Sequence, residues 1–493
     1  MSYYIGADLG TSSLKLILCS AKGETVKSVT RDYPVSYPKN GWSEQAPEDW
    51  WSAFCDGVRE LAEGTEDVRG ISVAGQMHGL VILDKNGDVI RPAILWNDGR
   101  TFRETEYLNV EIGKQKLSSY TANVAFAGFT APKILWVKDN EPENFARIEK
   151  IMLPKDYINY RLTGVHATDF SDAAGTLLLD VKNKCWSKEM LEVCGVTEAQ
   201  MPKLFESYER IGTVQPDIAK ELGLAENVHV IAGAADNAAA AIGTGTVGEG
   251  KCNISLGTSG TVVISSDKFG VDDNNSLHAF CHADGGYYLM ACMLSAASCN
   301  KWFCEQILNT EDFAAEQADI SHDMLGNNGV YFLPYLMGER CPVNDTNASG
   351  VFIGLRPDST RADMLQAVLE GVAFAIRDNV EIAKSLGISI KSSTVCGGGA
   401  RSALWLKIIS SVLNIELRVP VAEEGPALGA ARLAMTGCGE YARVGECATA
   451  EIKTIVKPDK MLAERYEKKY KKFKEIYPNT KELFKRMMED DDD

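Results

Sequence analysis

The sequence has no apolar run of the roughly 20 residues that a membrane-crossing helix requires and no excess of basic residues. Lysine and arginine number 51 against 68 aspartates and glutamates, which gives a formal net charge of −17. An acidic surface attracts neither nucleic acid nor anionic lipid. We therefore expect no nucleic acid and no membrane among the partners, whereas a locally positive pocket or a bound cation could still accept an anionic substrate.

The cysteines lack the spacing of a disulfide framework or a metal site. No Cys-x-x-Cys pair occurs among the 13 cysteines, and the odd count leaves at least one without a partner cysteine. Several lie in apolar runs, as Cys19, Cys55 and Cys252 do, where cysteine behaves as a small hydrophobic residue. The chain begins with a strand-like run and shows no basic, signal-type segment. Reduced thiols and a cytoplasmic location are the expectation.

Several widespread catalytic signatures are also missing. The chain contains no G-x-x-x-x-G-K-[ST] phosphate loop, no G-x-G-x-x-G fingerprint after a strand and no G-x-S-x-G elbow. Its 6 histidines show no metal-like spacing, because His278 and His282 are four residues apart without a helix pattern of carboxylates. A P-loop enzyme, a dinucleotide-binding enzyme, a serine hydrolase and a zinc site are therefore disfavoured.

The chain does contain the tetrapeptide Leu-Gly-Thr-Ser twice, at residues 9–12 and 256–259, each time between two β-rich runs. A tight glycine turn exposes backbone N–H groups, and threonine and serine add hydroxyl donors. Two such turns facing each other across a cleft predict a polyphosphate site that includes Gly10, Thr11, Ser12, Gly257 and Thr258. A chain of 493 residues is too long for one core. We predict two domains, residues 1–248 and 249–493.

Two further stretches extend the predicted phosphate site. Asp8 ends the strand before the first turn, either as an ordinary turn residue or as a carboxylate that binds Mg²⁺ through water. Residues 394–396 read as a strand that runs into three glycines, followed by a helix over 402–412. The glycines indicate either a tight crossover or a backbone that a base or phosphate approaches closely. The candidate nucleotide contacts are Gly398, Gly399, Ala400 and Ser402.

Two polar residues follow predicted buried strands. Asp236 precedes a helix of small residues, so it is either a helix N-cap or a general base, and the two roles are compatible. His78 lies beside a glycine in a strand-end loop. It is either a structural histidine or a hydrogen-bond partner for a sugar hydroxyl.

Two long stretches then resemble the FGGY carbohydrate kinases of the actin-like ATPase superfamily. Residues 128–140 resemble the family's first signature, and residues 350–355 with 363 and 367–370 resemble the second. The resemblance covers about residues 3 to 440 and implies an α/β fold of two actin-like (ribonuclease H-like) ATPase domains with a cleft between them. The first domain would bind the sugar and carry the base. The second would bind the nucleotide. Beyond the resemblance, the charged residues 457–486 with tyrosines at helical spacing predict a terminal helix, which an acidic tail follows.

Four shorter motifs resemble the family members that act on D-xylulose: residues 41–45, 76–79, 95–100 and 236–239. This implies that Met77 and His78 contact the ketose, that Asp236 is the catalytic base with Asn237 beside it, and that Asp8 assists at the metal–phosphate end. The implied reaction transfers the γ-phosphoryl group of ATP, with Mg²⁺, to the 5-hydroxyl of D-xylulose. A homodimer is a further expectation.

One departure from the family pattern leaves alternatives open. After Gly338-Glu339-Arg340 the chain has Cys341-Pro342-Val343, where many members have Thr-Pro-His. Ribulose, gluconate, glycerol or another polyol therefore remain alternative substrates. An actin-like chaperone or filament protein is the alternative from another class, and it would leave the Met77-His78 and Asp236-Asn237 pairs unexplained.

Overall fold

The structure is a computed structural model that describes residues 2–65, 67–421 and 425–488. The acidic tail, Asp490 to Asp493, lies outside the described residues. Within the described part of the chain, no helix has both the length and the apolar character needed to cross a membrane. No two of the described cysteines form a disulfide, as their scattered positions predict.

Two large sheets form the centre of the molecule. The first has the order β5-β6-β4-β1-β2-β3, with strands β1 (Tyr3–Leu9), β2 (Ser13–Ser20), β3 (Thr25–Asp32), β4 (Val68–Gly75), β5 (Arg210–Thr213) and β6 (His229–Ala235). The second has the order β9-β10-β8-β7-β11-β12-β13, with strands β7 (Cys252–Leu256), β8 (Gly260–Ser266), β9 (His278–Cys281), β10 (Tyr287–Met293), β11 (Ser392–Cys396), β12 (Glu416–Pro420) and β13 (Ile452–Val456).

The two sheets share one core topology. In each, three neighbouring antiparallel strands lie beside two strands that run parallel to the first: β1-β2-β3 with β4 and β6, and β7-β8-β10 with β11 and β12. In the second sheet, β9 is inserted in the chain between β8 and β10. Each Leu-Gly-Thr-Ser turn lies in the first hairpin of its sheet. The repeated tetrapeptide therefore marks equivalent positions in two copies of one fold unit.

The helices include α1 (Pro47–Ala62), α2 (Thr130–Asn140), α3 (Pro154–Thr163), α4 (Asp236–Gly243), α5 (Arg361–Ser385), α6 (Ala403–Leu413), α7 (Gly425–Cys438), α8 (Lys460–Phe473) and α9 (Ile476–Met488). Further helical segments are Phe102–Glu106, Lys114–Thr121, Pro142–Phe145, Phe170–Ala173, Lys188–Cys194, Pro216–Leu222, Ala297–Trp302, Phe313–Ala318 and Val444–Cys447. Short two-stranded ladders join Glu44–Gln45 to Ala93–Ile94, and Val81–Leu83 to Lys150–Met152.

Strand β1 is buried on both faces, because its alternate side chains enter different cores. Ile5 packs into the core that contains Trp50 of α1. Tyr4 packs on the opposite face with Ala431 of α7. A Cβ atom at Gly6 would overlap the Ala427 carbonyl, so only glycine allows α7 to lie this close to the sheet.

Helix α7 belongs to the second half of the chain but packs on the first sheet. It contacts β1, β4 and α4. Its Arg432 donates to the Ile242 and Gly243 carbonyls at the end of α4, each at 2.9 Å. The halves are thus joined by a close helix pair, and the boundary after residue 248 stays a prediction.

The prediction of one continuous charged helix over residues 457–486 is wrong. The segment forms two helices, α8 ending at Phe473 and α9 beginning at Ile476. Pro478 has no N–H to donate to the Lys474 carbonyl, and its ring is tolerated only in the first turn of a helix. The helix therefore ends and restarts just before the proline.

Candidate active site

Side chains from distant parts of the chain hold the first Leu-Gly-Thr-Ser turn. Gln45 Nε2 donates to the Thr11 carbonyl at 2.7 Å, and Gln76 Nε2 donates to the Gly10 carbonyl at 3.3 Å. The half-exposed indole of Trp96 donates to Thr11 Oγ1 at 2.9 Å. The turn carbonyls are thereby satisfied by protein donors, while Ser12 is exposed.

The motifs at residues 41–45 and 95–100 support this turn together. Asp98 Oδ2 accepts from the Ser43 N–H at 2.6 Å, and Arg100 forms a 2.7 Å ion pair with Glu44. The Arg100 guanidinium also lies 3.7 Å from the centre of the Trp42 ring. These contacts fix the short ladder that carries Gln45, so both motifs position the turn through their neighbours.

Asp8 and Asp236 lie at the same end of the first sheet, where the parallel strands β1, β4 and β6 have their carboxyl ends. Asp8 on β1 is level with Ala74 on β4, and Ala234 on β6 is level with the same residue. Asp8 and Ala234, which lies two residues before Asp236, are therefore two strand spacings apart, about 10 Å. Burial raises the pKa of Asp8 to about 6 against the opposing effect of Lys15, its cross-strand neighbour. Sequence reasoning missed Lys15, although its pairing follows from the hairpin register.

Asp236 is the first residue of α4. The N-cap is Ala235, whose side chain makes no capping bond, so the N-cap interpretation of Asp236 is wrong. Its Oδ1 accepts from the backbone N–H of Asn237 at 2.6 Å and from Asn237 Nδ2 at 2.9 Å. Burial, and secondly the Asp8 charge, raise the pKa of Asp236 to about 7, against the effect of those bonds. A carboxylate with this pKa suits a general base at neutral pH.

A buried polar cluster lies behind Asp236. Ser171 Oγ accepts from the Ala235 N–H at 3.0 Å and donates to Asp169. Lys155 on α3 is fully buried and pairs with Asp156 at 2.6 Å and Asp169 at 2.9 Å. This network fixes the backbone immediately before the base. The sequence did not single it out, because the residues come together only through the fold.

His78 is held in one orientation by its neighbours. Its Nδ1 donates to the Gly175 carbonyl at 2.6 Å, and its ring stacks on Phe129 with 4.5 Å between ring centres. Burial, with smaller effects from the Lys133 and Arg340 charges, lowers the pKa of His78 to about 3 despite the Gly175 bond. The ring is therefore neutral at physiological pH, and Nε2 is an acceptor that suits a hydroxyl donor.

The backbone at His78 is fixed by a lysine in the first family signature. His78 has φ of 69°, and its carbonyl accepts from Lys133 Nζ at 2.8 Å and Thr130 Oγ1 at 3.1 Å. The neighbouring Met77 is buried, and its Sδ lies 3.6 Å from Asn237 Nδ2. The structure thus brings Met77, His78, Asp236 and Asn237 to one site, as predicted. Whether they bind a sugar stays a prediction.

A cavity of about 640 Å³ opens on the second sheet. Its lining includes five of the predicted nucleotide residues: Gly257, Thr258, Gly398, Gly399 and Ser402. The other four, Gly10, Thr11, Ser12 and Ala400, lie outside that lining. The volume is within the range of small-molecule sites.

The glycines of this cavity differ in their surroundings. A Cβ atom at Gly398 would meet nothing within 4 Å, whereas one at Gly399 would lie 2.8 Å from Leu256 Cβ. Gly397 has φ of 86°, which favours glycine. Ser402 Oγ accepts from the Trp405 N–H at 3.0 Å and donates to Gln317 at 2.6 Å, so this hydroxyl caps α6. Gly398 therefore has the most open approach for a ligand.

The described residues contain no group of three or more His, Cys, Asp or Glu side chains arranged to hold a metal ion. Mg²⁺ in phosphoryl-transfer sites keeps several waters and uses one or two carboxylates together with phosphate oxygens. Asp8, a lone carboxylate beside the first turn, fits that mode.

Known proteins identify the fold. The FGGY family of carbohydrate kinases matches with its N-terminal domain over residues 3–243 and its C-terminal domain over residues 252–438. The chain is 44% identical to the xylulose kinase of Escherichia coli K12 over 439 residues, which cover 87% of this chain and 89% of that protein.

Solved structures of carbohydrate kinases have the same fold as this chain. A crystal structure titled as a xyloylose kinase from Brucella ovis has a TM-score of 0.93 at 39% identity and covers 98% of this chain and 100% of that one. A gluconate kinase from Lactobacillus acidophilus has the same TM-score, 0.93, at 26% identity, and covers 99% of both chains. The two sheets with their cleft are the actin-like, ribonuclease H-like kinase fold, as predicted, and the chain belongs to the FGGY family of carbohydrate kinases.

Proposed function

We propose that the chain transfers the γ-phosphoryl group of ATP to the 5-hydroxyl of D-xylulose. The observation that carries this proposal is a carboxylate with a pKa of about 7, Asp236, whose neighbour Asn237 lies 3.6 Å from Met77. Met77 directly precedes the neutral acceptor His78. The likeness to xylulose kinases supports the choice of sugar.

In this mechanism the chain positions the reactants and moves one proton. Asp236 accepts the proton of the attacking hydroxyl, and Asn237 holds the Asp236 carboxylate in place through its side chain and N–H. His78 Nε2 accepts from a second sugar hydroxyl. Bound Mg²⁺, held by Asp8 through water, would neutralise phosphate charge.

The nucleotide occupies the cavity of the second half in this proposal. The base and ribose lie near Gly398 and Gly399, and the two Leu-Gly-Thr-Ser turns donate N–H groups to the phosphates from both sides. Residues 1–248 then form the sugar domain and residues 249–493 the nucleotide domain. Closure of the cleft would exclude water, which competes with the sugar as acceptor.

A panel of sugars tests the proposal. ADP release is measured with Mg²⁺-ATP and D-xylulose, D-ribulose, gluconate or glycerol, each at several concentrations. The proposal requires kcat/KM for D-xylulose to exceed that for each other compound at least about tenfold, a discrimination of roughly 1.4 kcal/mol. Faster turnover with gluconate or glycerol would overturn the choice of sugar. ADP release that no compound stimulates would overturn the kinase assignment to these substrates.

A further inference from the structure

The loop Gly338-Glu339-Arg340 is built rigidly onto the end of β10. The Glu339 side chain is 1% exposed, and its Oε1 accepts from the Leu294 N–H at 2.9 Å and the Arg340 N–H at 2.8 Å. The Glu339 backbone N–H donates to the Asp345 carbonyl at 2.9 Å. The backbone that presents Arg340 is therefore fixed from both sides.

The Arg340 side chain reaches the aromatic residues that hold His78. Its guanidinium lies 5.2 Å from the ring centre of Phe126. Phe126 lies 5.5 Å from Phe129, which stacks on His78. The positive charge of Arg340 also lowers the pKa of His78 and of His278, which contacts both phenylalanines. A cation from the second half of the chain thus faces the sugar-binding histidine proposed in the first.

Within the described part of the chain, the Arg340 guanidinium has few acceptors around it. Over residues 2–65, 67–421 and 425–488, no aspartate or glutamate forms an ion pair with its guanidinium, and the Glu339 carboxylate is engaged by backbone donors. The Cys292 thiol hydrogen-bonds to Arg340 and is a weak partner. A half-buried guanidinium has five donors, and the described residues offer this one no strong acceptor. An oxygen-rich ligand would supply them.

Arg340 lies toward the His78 end of the site. The Arg340 guanidinium lies against Phe126, and Phe126 packs on Phe129, which stacks on His78. The charged neighbour of Asp236 is instead Asp8. A sugar that places its reacting hydroxyl at Asp236 therefore directs its other end toward His78 and Arg340. In a ketopentose phosphorylated at the 5-hydroxyl, that end carries the 2-carbonyl and the 1-hydroxyl.

We infer that Arg340 is a specificity-determining residue that donates hydrogen bonds to the carbonyl end of the sugar and so selects ketoses over polyols. A carbonyl oxygen only accepts, which matches a guanidinium that only donates. A polyol hydroxyl at the same position can also accept from the guanidinium, but its own hydrogen then needs a separate acceptor. His78 Nε2, an acceptor, is then matched to a neighbouring hydroxyl. The inference deepens the proposed function and rests on it.

The test compares kcat/KM for D-xylulose with kcat/KM for the two pentitols formed by reducing its carbonyl. Arg340→Met removes every donor while keeping much of the side-chain length, and Arg340→Lys keeps the charge without the fork. Arg356→Met, at an exposed arginine, is the matched control. Losing a charge-assisted hydrogen bond lowers kcat/KM for the ketose about 10- to 100-fold in Arg340→Met. The pentitol value falls less than about threefold, so the ketose preference collapses, while the KM for ATP stays unchanged.

Several outcomes decide the matter. A ketose preference in Arg340→Lys that lies between wild type and Arg340→Met supports the proposed role of Arg340. If Arg340→Met has a lowered melting temperature, the ketose preference of Arg340→Lys alone decides the question. Equal losses for ketose and pentitols, or an unchanged ratio in both variants, overturn the inference and leave the proposed function intact. A wild-type protein that phosphorylates no ketopentose overturns the proposed function instead, and this is seen before any variant is made.

Discussion

Replacing Asp236 with asparagine separates the basic charge from the shape of the side chain. Asparagine has nearly the same size, and its carbonyl oxygen can still accept from the Asn237 N–H that now bonds to Asp236 Oδ1. What is lost is the ability to take a proton from the sugar hydroxyl. Loss of a general base costs roughly 10²- to 10⁴-fold in rate. We expect kcat to fall by that amount, with ATP affinity little changed.

The pH profile supplies an independent readout. The wild-type base is active when deprotonated, and its pKa in the free protein is about 7. The kcat/KM for the sugar should therefore rise about tenfold per pH unit below that value and level off above it. The residual activity of Asp236→Asn should lose this rising limb. His78, with a pKa of about 3, contributes no step in this range. Asp8, with a pKa of about 6, adds a second rise below pH 6, which Asp236→Asn should keep.

The same substitution should stabilise the protein at higher pH. The pKa of Asp236 is raised from 3.8 to about 7 by folding, so the stability linked to this carboxyl is complete at low pH and is lost as pH rises through 7. A shift of about three units corresponds to at most roughly 4 kcal/mol. Partial exposure reduces this figure, so Asp236→Asn should gain about 1–4 kcal/mol at pH 8 and almost nothing at pH 4.

Steady-state kinetics from pH 5 to 9 and thermal melts at pH 4 and 8 provide the assay, with the exposed Asp319→Asn as control. Turnover of Asp236→Asn within tenfold of wild type would show that another group is the base, with Asp8 the next candidate. A lower melting temperature than wild type at pH 8 would refute the burial argument. If the variant does not fold, Asp236→Ser repeats the kinetic test.

Three further predictions follow from the site. His78→Ala should raise the sugar KM by the loss of one hydrogen bond, about 1–3 kcal/mol, with ATP binding near normal; an unchanged KM with a lower melting temperature would favour a structural histidine. Gly398→Val should raise the ATP KM without lowering the melting temperature, because a Cβ there meets nothing within 4 Å and projects into the cavity lining; an unchanged ATP KM would place the nucleotide elsewhere. Sugar together with a non-hydrolysable ATP analogue should reduce the radius of gyration measured by X-ray scattering; an unchanged radius contradicts closure unless the free protein is already closed.

Local pattern was sufficient to predict much of the fold. The strand–turn–strand runs around both Leu-Gly-Thr-Ser copies became β1-β2 and β7-β8, because strand alternation and glycine turns are properties of neighbouring residues. The strand and helix around the three glycines became β11 and α6 with shifts of one or two residues. The position of Asp236 at the end of a buried strand was also predictable, because that strand is a property of neighbouring residues.

The missed features are non-local. The Lys155 cluster joins residues from α3 and the segment after it, and nothing in the spacing shows that a lysine is fully buried among carboxylates. The packing of α7 on the first sheet depends on Gly6 lying opposite Ala427, more than 400 positions away. The break before Pro478 could have been read from the sequence, since a proline there excludes an unbroken helix.

The most direct test of the account is to identify the product. The protein is incubated with Mg²⁺-ATP and D-xylulose, and the phosphorus and carbon resonances of the product are recorded by NMR with and without Asp236→Asn. The account predicts one sugar phosphate esterified at the 5-oxygen, formed in equal amount with ADP by the wild type and at least about 10²-fold more slowly by the variant. ADP without a sugar phosphate, a phosphate on another oxygen, or equal rates for both proteins would contradict it.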